Sequence, residues 1–327
     1  MPHIRRFTVL LLPLALLLLC LSASPSFAAA FDRTVGARLR LFLSSALGLF
    51  PISLTELCLL LFIPLLLLIL LAAVKSRRPS RLADRLLRVL LLYSFLFVTV
   101  FAPGLYRPPL EDTLGLSKAP PSEEEILLCA AYLSRLAEAP PEEPEGAEIA
   151  RRILLAYQRL GERYPVLPNL AARPKSARTP LLSRLGYFGL YAFPFGEVTV
   201  AHDLHGVRYG FTVAHELAHA SGFAREGEAD LLAFLACLES GDAYLRFVGA
   251  SGMLDRLLCE LYSSAPELWE TVSDGLPPVT RSELAEKGEK GEDTACQADP
   301  TPDYGKTVLL LCALLRAREA PCEYTEA

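Results

Sequence analysis

Three long apolar runs occupy the first third of the chain, Phe7–Leu21, Leu57–Val74 and Val89–Leu105. At about 15, 18 and 17 residues they approach the ~20 needed to cross a bilayer core once flanking positions are added. They predict three transmembrane helices at about 7–27, 54–74 and 87–105. The first run also has the features of a cleaved signal, with Arg5 and Arg6 before it and Ser26-Phe27-Ala28 resembling a small-x-small cleavage site. Between the first two runs, Asp32–Leu49 mixes Val35, Leu39, Leu41 and Leu43 with Arg33, Arg38 and Arg40 at helical spacing, which predicts a helix lying on the outer membrane surface. Pro103-Gly104 and Pro108-Pro109 then break the pattern. The division is a membrane region over 1–105 and a second domain over 106–327.

Beyond that boundary the apolar period becomes that of amphipathic helices. Ser122 followed by Glu123, Glu124 and Glu125 is an N-cap signature for a helix to about Ala137, and Ile149, Ile153, Leu154, Tyr157 and Leu160 form one side of another over Ala147–Arg163. Further helices are predicted at about Ala229–Leu238, Ala243–Ser263 and Gly305–Ala317, with a solvated connection over Ser282–Pro302. Little strand is expected. Glu197–Ala201, after an aromatic stretch, reads as a short strand or edge that could hold an extended peptide, or else as plain aromatic packing.

Composition sharpens this picture. Hydrophobic residues make up 52% of the 327, too many for an ordinary soluble protein, and the excess sits in the N-terminal runs. The basic cluster Lys75, Arg77, Arg78, Arg81, Arg85 and Arg88 separates the second and third runs, against Arg33, Arg38 and Arg40 between the first and second. The positive-inside rule therefore predicts a cytoplasmic second linker and an extracytoplasmic domain. With net charge −5 and no basic face outside that linker, nucleic acid is excluded as a partner; no glycine-rich nucleotide loop occurs either. Cys129, Cys237, Cys259, Cys296, Cys312 and Cys322 fall in the outer part without a CxxC, so disulfides are open to them in an oxidising compartment. Cys237 reads as a core residue instead.

The chemistry is concentrated in Phe211–Asp230, FTVAHELAHASGFAREGEAD. His215 and His219 frame His-Glu-x-x-His, and on a helix the i, i+4 spacing aims both imidazoles at one point. Glu216 projects beside that point and can take a proton from a metal-activated water without becoming a ligand. A site with an open position needs a third donor. Gly222 stops the helix, a second helix follows, and on it Glu226, Ala229, Asp230 and Ala233 share one face while Glu228 points towards solvent or Arg225. Glu226 is the expected third ligand, with Glu228 as the alternative, and Ala218, Ala220, Ala229 and Ala233 permit close helix contact. His202 and His205 lie in a polar loop and read as surface residues or substrate contacts; Tyr304, Arg246 and His202 are unranked candidates for an oxyanion donor.

LGLFPISLTEL, YRPPL, LLSRLGYFGLYAFPFGEVTV, HELAHASGFAREGEADLLAFLAC and DYGKTVLLLCALL, in that order, resemble a bacterial domain-of-unknown-function family of multi-span membrane proteins with a zincin-like domain. More distantly, Glu-x-x-Ala-Asp after HExxH resembles the ligand helix of gluzincin membrane proteases, although the spacing to Glu226 is much shorter here and the site follows the spans. The resemblance implies a mainly α fold, transmembrane helices followed by a helical zincin-like metalloprotease domain. It implies Zn²⁺ on His215, His219 and Glu226, with Asp230 supporting a histidine from behind. The expected activity is hydrolysis of a peptide or protein substrate at the outer face of the lipid bilayer. Alternatives are a non-catalytic zinc-binding envelope scaffold, or a zinc hydrolase of a non-peptide envelope component.

Overall fold

The computed structural model describes residues 2–75, 79–138, 142–164, 172–276 and 304–319. The expected connection Ser282–Pro302 lies outside the described residues, as do Cys296, Cys322 and the side chain of Tyr304. The chain is mainly helical. It opens with α1 (Pro2–Ser22), α2 (Pro25–Phe31), a π-helical turn (Asp32–Gly36), α3 (Ala37–Leu47), α4 (Leu54–Lys75) and α5 (Pro79–Leu96). A second π-helical turn (Phe97–Phe101) leads into α6 (Ala102–Tyr106), and α7 (Leu110–Leu114), α8 (Glu123–Leu136) and α9 (Gly146–Arg163) follow. Next come β1 (Lys175–Ser176), α10 (Leu181–Arg184), β2 (Gly189–Ala192) and β3 (Glu197–Val200). The remainder is α11 (Gly206–Ala220), α12 (Glu226–Glu239), α13 (Ala243–Ser264), α14 (Pro266–Asp274) and α15 (Tyr304–Glu319).

These elements fall into two compact units. The first comprises Met1–Pro108, Pro168–Asp203 and His219–Ala224; the second comprises Pro109–Leu167, Leu204–Ala218 and Arg225–Ala327. The expected break after residue 105 is close to the first crossover, but the first unit also takes back two later segments. Among the described residues two helices are long and apolar enough to cross a membrane, Leu54–Ala72 and Leu82–Tyr106. Only 11% and 28% of these apolar windows are buried. The first apolar run lies in α1, Pro2–Ser22, which ends at Ala23-Ser24 before Pro25, lacking an N–H, starts a new helix.

Within the first unit, two buried carboxylates anchor the start of α4. Glu197 on β3 accepts from the N–H groups of Leu54 (3.2 Å) and Thr55 (3.0 Å), from Ser53 Oγ (2.7 Å) and from Lys175 Nζ (2.6 Å). Glu56 accepts from the N–H groups of Arg178 and Thr179. Glu197 thereby satisfies orphan donors of the first turn of α4, and Glu56 ties that turn to the segment at Arg178–Thr179. The sheet has the order β1-β3-β2, with β1 parallel and β2 antiparallel to β3. β3 is therefore central and buried along its length. Of the readings open for Glu197–Ala201, the strand is present and the edge is not, because β3 is paired with β1 on one flank and β2 on the other.

The expected helix near Asp32–Leu49 is present as the π-helical turn and α3, with Arg33, Val35, Arg38, Leu41 and Phe42 exposed, but one of its basic residues turns inward. Arg40 is buried, its Nη1 2.6 Å from Asp32 Oδ1 and 3.0 Å from the Val100 carbonyl. Its charge is spent inward on a partner eight residues earlier.

In the second unit α12 is the central helix, packed against α9, α13 and α15. Every residue from Gly227 to Cys237 is buried, as its continuous apolar run requires. At α8 the N-cap reading holds in full, with Ser122 Oγ accepting from Glu125 N–H while Glu125 accepts from Ser122 N–H. Cys237 is a buried thiol, Cys259 is disulfide-bonded, and the thiols of Cys129 and Cys312 lie 3.2 Å apart.

Candidate metal centre

α11 carries the His-Glu-x-x-His segment as buried helix. From Val213 to Ala220 every position is buried, and Tyr157 Oη, from α9, donates to the Ala214 carbonyl at 2.7 Å. Gly222 ends the helix with φ 96°, a left-handed conformation that costs glycine little, and its N–H bonds the His219 carbonyl at 2.9 Å. α12 begins at Glu226, three residues after Phe223. The short turn returns the chain with Glu226 in the first turn of the new helix.

This geometry brings His215, His219 and Glu226 together. Each offers one ligand atom, and those atoms lie within 4.8 Å of one another. His215 Nδ1 is 2.7 Å from Asp230 Oδ1, and its Nε2 is 3.0 Å from Glu226 Oε2. His219 Nδ1 is 2.7 Å from the Phe223 carbonyl. A carbonyl only accepts, so His219 carries its proton on Nδ1 and turns the Nε2 lone pair outward. Asp230 is fully buried, with Arg256 Nε at 3.5 Å and Thr307 Oγ1 at 3.4 Å. Burial would raise its pKa, but Arg256 and His215 outweigh that and hold it below the usual value. Burial works against protonation of His215 too; the Asp230 charge and hydrogen bond, joined by Glu226, override it and push the pKa up to about 10. The point in front of His215 Nε2 thus favours positive charge.

Two imidazole nitrogens and a carboxylate oxygen, each imidazole fixed from behind, form a donor set suited to Zn²⁺. Glu226 is the most open member, its side chain 32% exposed, so the cluster is reachable from solvent. Glu216, one residue along α11 from His215, is buried.

Glu228 has a different position from the expected one. It is fully buried, and Oε1 accepts from Leu110 N–H at 2.9 Å and from Arg225 Nη1 at 2.8 Å. The contact with Arg225 is among its expected directions, but the solvent-facing one is ruled out because α12 is buried from Gly227 to Cys237. His202 and His205 are exposed and outside the cluster, and Arg246 is exposed on α13. Sequence reasoning did not find the Phe223 carbonyl, Arg256 or Thr307. A backbone acceptor has no sequence signature, and the other two lie on elements distant in the chain.

Fold and site together define a mainly helical protein with two long apolar helices and a clustered His-His-Glu donor set. The chain belongs to the DUF3810 family, proteins of unknown function, whose model matches residues 33–299 and so includes α3 through α14. No curated protein and no solved structure matches the chain.

Proposed function

We propose that the protein is a membrane-anchored, zinc-dependent metallopeptidase. The observation that carries this reading is the convergence of His215 and His219 of α11 with Glu226 of α12, their ligand atoms within 4.8 Å of one another, with Glu216 next to His215 on α11. Zn²⁺ held by His215, His219 and Glu226 would supply Lewis acidity, lowering the pKa of a water there towards ~7. Glu216 is the group that would take the water's proton as its oxygen adds to the substrate carbonyl and return that proton to the leaving amine. Asp230 and the Phe223 carbonyl keep the two rings in orientation and tautomer throughout. A purely structural site gains nothing from a carboxylate at position 216, which argues against a scaffold role.

The outward-facing apolar residues of α4 and α5 support a bilayer as their surroundings. The basic cluster from Lys75 to Arg88 supports a cytoplasmic connection between them, with the site on the outer face of the membrane. The disulfide at Cys259 agrees with an oxidising compartment. Because β3 is paired on both sides, it supplies no support for extended-peptide binding, and a hydrolase of another envelope component uses the same donor set. Assays therefore pair an unstructured-protein substrate with envelope fractions. Glu216→Gln is expected to retain zinc and lose hydrolysis by about 10²–10⁴-fold. Full activity in that variant would sink the reading, and activity on envelope fractions alone would favour the non-peptide hydrolase.

A further inference from the structure

We infer that Arg107 and Arg40 are positioning residues for His219, acting through the turn that follows α11. This inference rests on the zinc-site reading for its significance, though its geometry is independent of any metal. The tautomer of His219 depends on where the Phe223 carbonyl sits, 2.7 Å from Nδ1. That carbonyl belongs to the turn Ser221–Ala224, which Arg40, Gly104 and Arg107 from the N-terminal part of the same unit approach. The Arg107 guanidinium lies 4.0 Å over the centre of the Phe223 ring, a cation–π stack in which both partners are buried. Arg40 Nη2 donates to the Ser221 carbonyl at 3.4 Å. Asp32 ties the two arginines together, at 2.6 Å from Arg40 and 3.8 Å from Arg107. The π-helical turn Phe97–Phe101 adds the Val100 carbonyl as a further acceptor for Arg40.

Packing makes the arrangement exacting. A Cβ on Gly104 would lie 2.5 Å from the Gly222 carbonyl and 3.2 Å from Ala224 Cβ, so α6 approaches the turn as closely as backbone permits. Ion pairing alone would serve to join helices. What distinguishes a positioning role is that the arginines meet the turn at Ser221 and at Phe223, the residue whose carbonyl fixes the ring.

The test uses full-length, detergent-solubilised protein labelled with ¹⁵N-histidine; with five histidines in the chain the spectrum is sparse, and His219→Gln assigns the signal. In metal-free wild type, His219 is expected as a single Nδ1–H tautomer. Arg107→Met and Gly104→Ala should give mixed or exchanging tautomers with unchanged helicity, and a zinc affinity about 10–100-fold lower. Arg107→Lys, which keeps charge but loses the flat stacking surface, should fall between and guards against a variant that fails to fold. An unchanged His219 tautomer in all three variants overturns the inference, whatever the metal result. A tautomer that responds in a wild type unable to bind zinc leaves positioning intact and removes the zinc reading instead.

Discussion

At the residue scale, the electrostatics of the site converge on His215. Asp230 behind it and Glu226 in front create a place where positive charge is favoured, and the identity of the third donor decides how it is used. The pairing of His215 with His219 was legible because i, i+4 on a helix is a local rule. The burial of Glu228 was not, because nothing local says that α12 is buried from Gly227 to Cys237. The two glutamates differ in a measurable way. Glu226 is part-exposed and touches His215, so Glu226→Ala is expected to weaken zinc binding while leaving the melting point of the metal-free protein close to wild type. Glu228→Ala removes the acceptor of the Leu110 N–H and one partner of Arg225, a loss on the order of 1–3 kcal/mol, and should lower that melting point by several degrees. Zinc titration combined with thermal melts separates them. Loss of zinc from Glu228→Ala at unchanged metal-free stability, with Glu226→Ala still loaded, would reverse the assignment.

At the element scale, helices with strong local signals are where the sequence places them. Ser122 with Glu125 starts α8, and the run after Glu228 continues as α12 to Glu239. The strand order was not legible. Four residues of alternating pattern at Glu197–Val200 look the same in a central strand as at an edge, and only the pairing with both Lys175–Ser176 and Gly189–Ala192 decides it. The same strand carries a pH dependence. Burial would raise the pKa of Glu197, but Lys175 and the donors of Ser53, Leu54 and Thr55 outweigh it and hold it at about 2, against 4.5 for the free side chain. A folded-state pKa below the unfolded one contributes stability above the unfolded value and loses it as pH falls. The junction of α4 with β3 should weaken as pH drops from 4.5 towards 2. Hydrogen exchange at Leu54 and Thr55 across that range reads the loss. Glu197→Gln should flatten the dependence, and an equally steep one in that variant would assign it to another group.

At the scale of the whole molecule, hydropathy made the apolar helices legible and left the domain division only half visible. The boundary at Pro108–Pro109 follows from prolines, but the return of Pro168–Asp203 and His219–Ala224 to the first unit depends on contacts distant in sequence. The charges at Asp32, Arg40 and Arg107 were the available hint, since ionisable groups amid apolar segments are kept where they have buried partners. The central claim is that this chain holds zinc at His215, His219 and Glu226. Its most direct test is elemental analysis of full-length protein purified without chelator, wild type beside His215→Ala. The account predicts near-stoichiometric zinc in wild type and background zinc in a variant of unchanged helicity. Equal zinc in the two, or background zinc in both after incubation with the free ion, would contradict it.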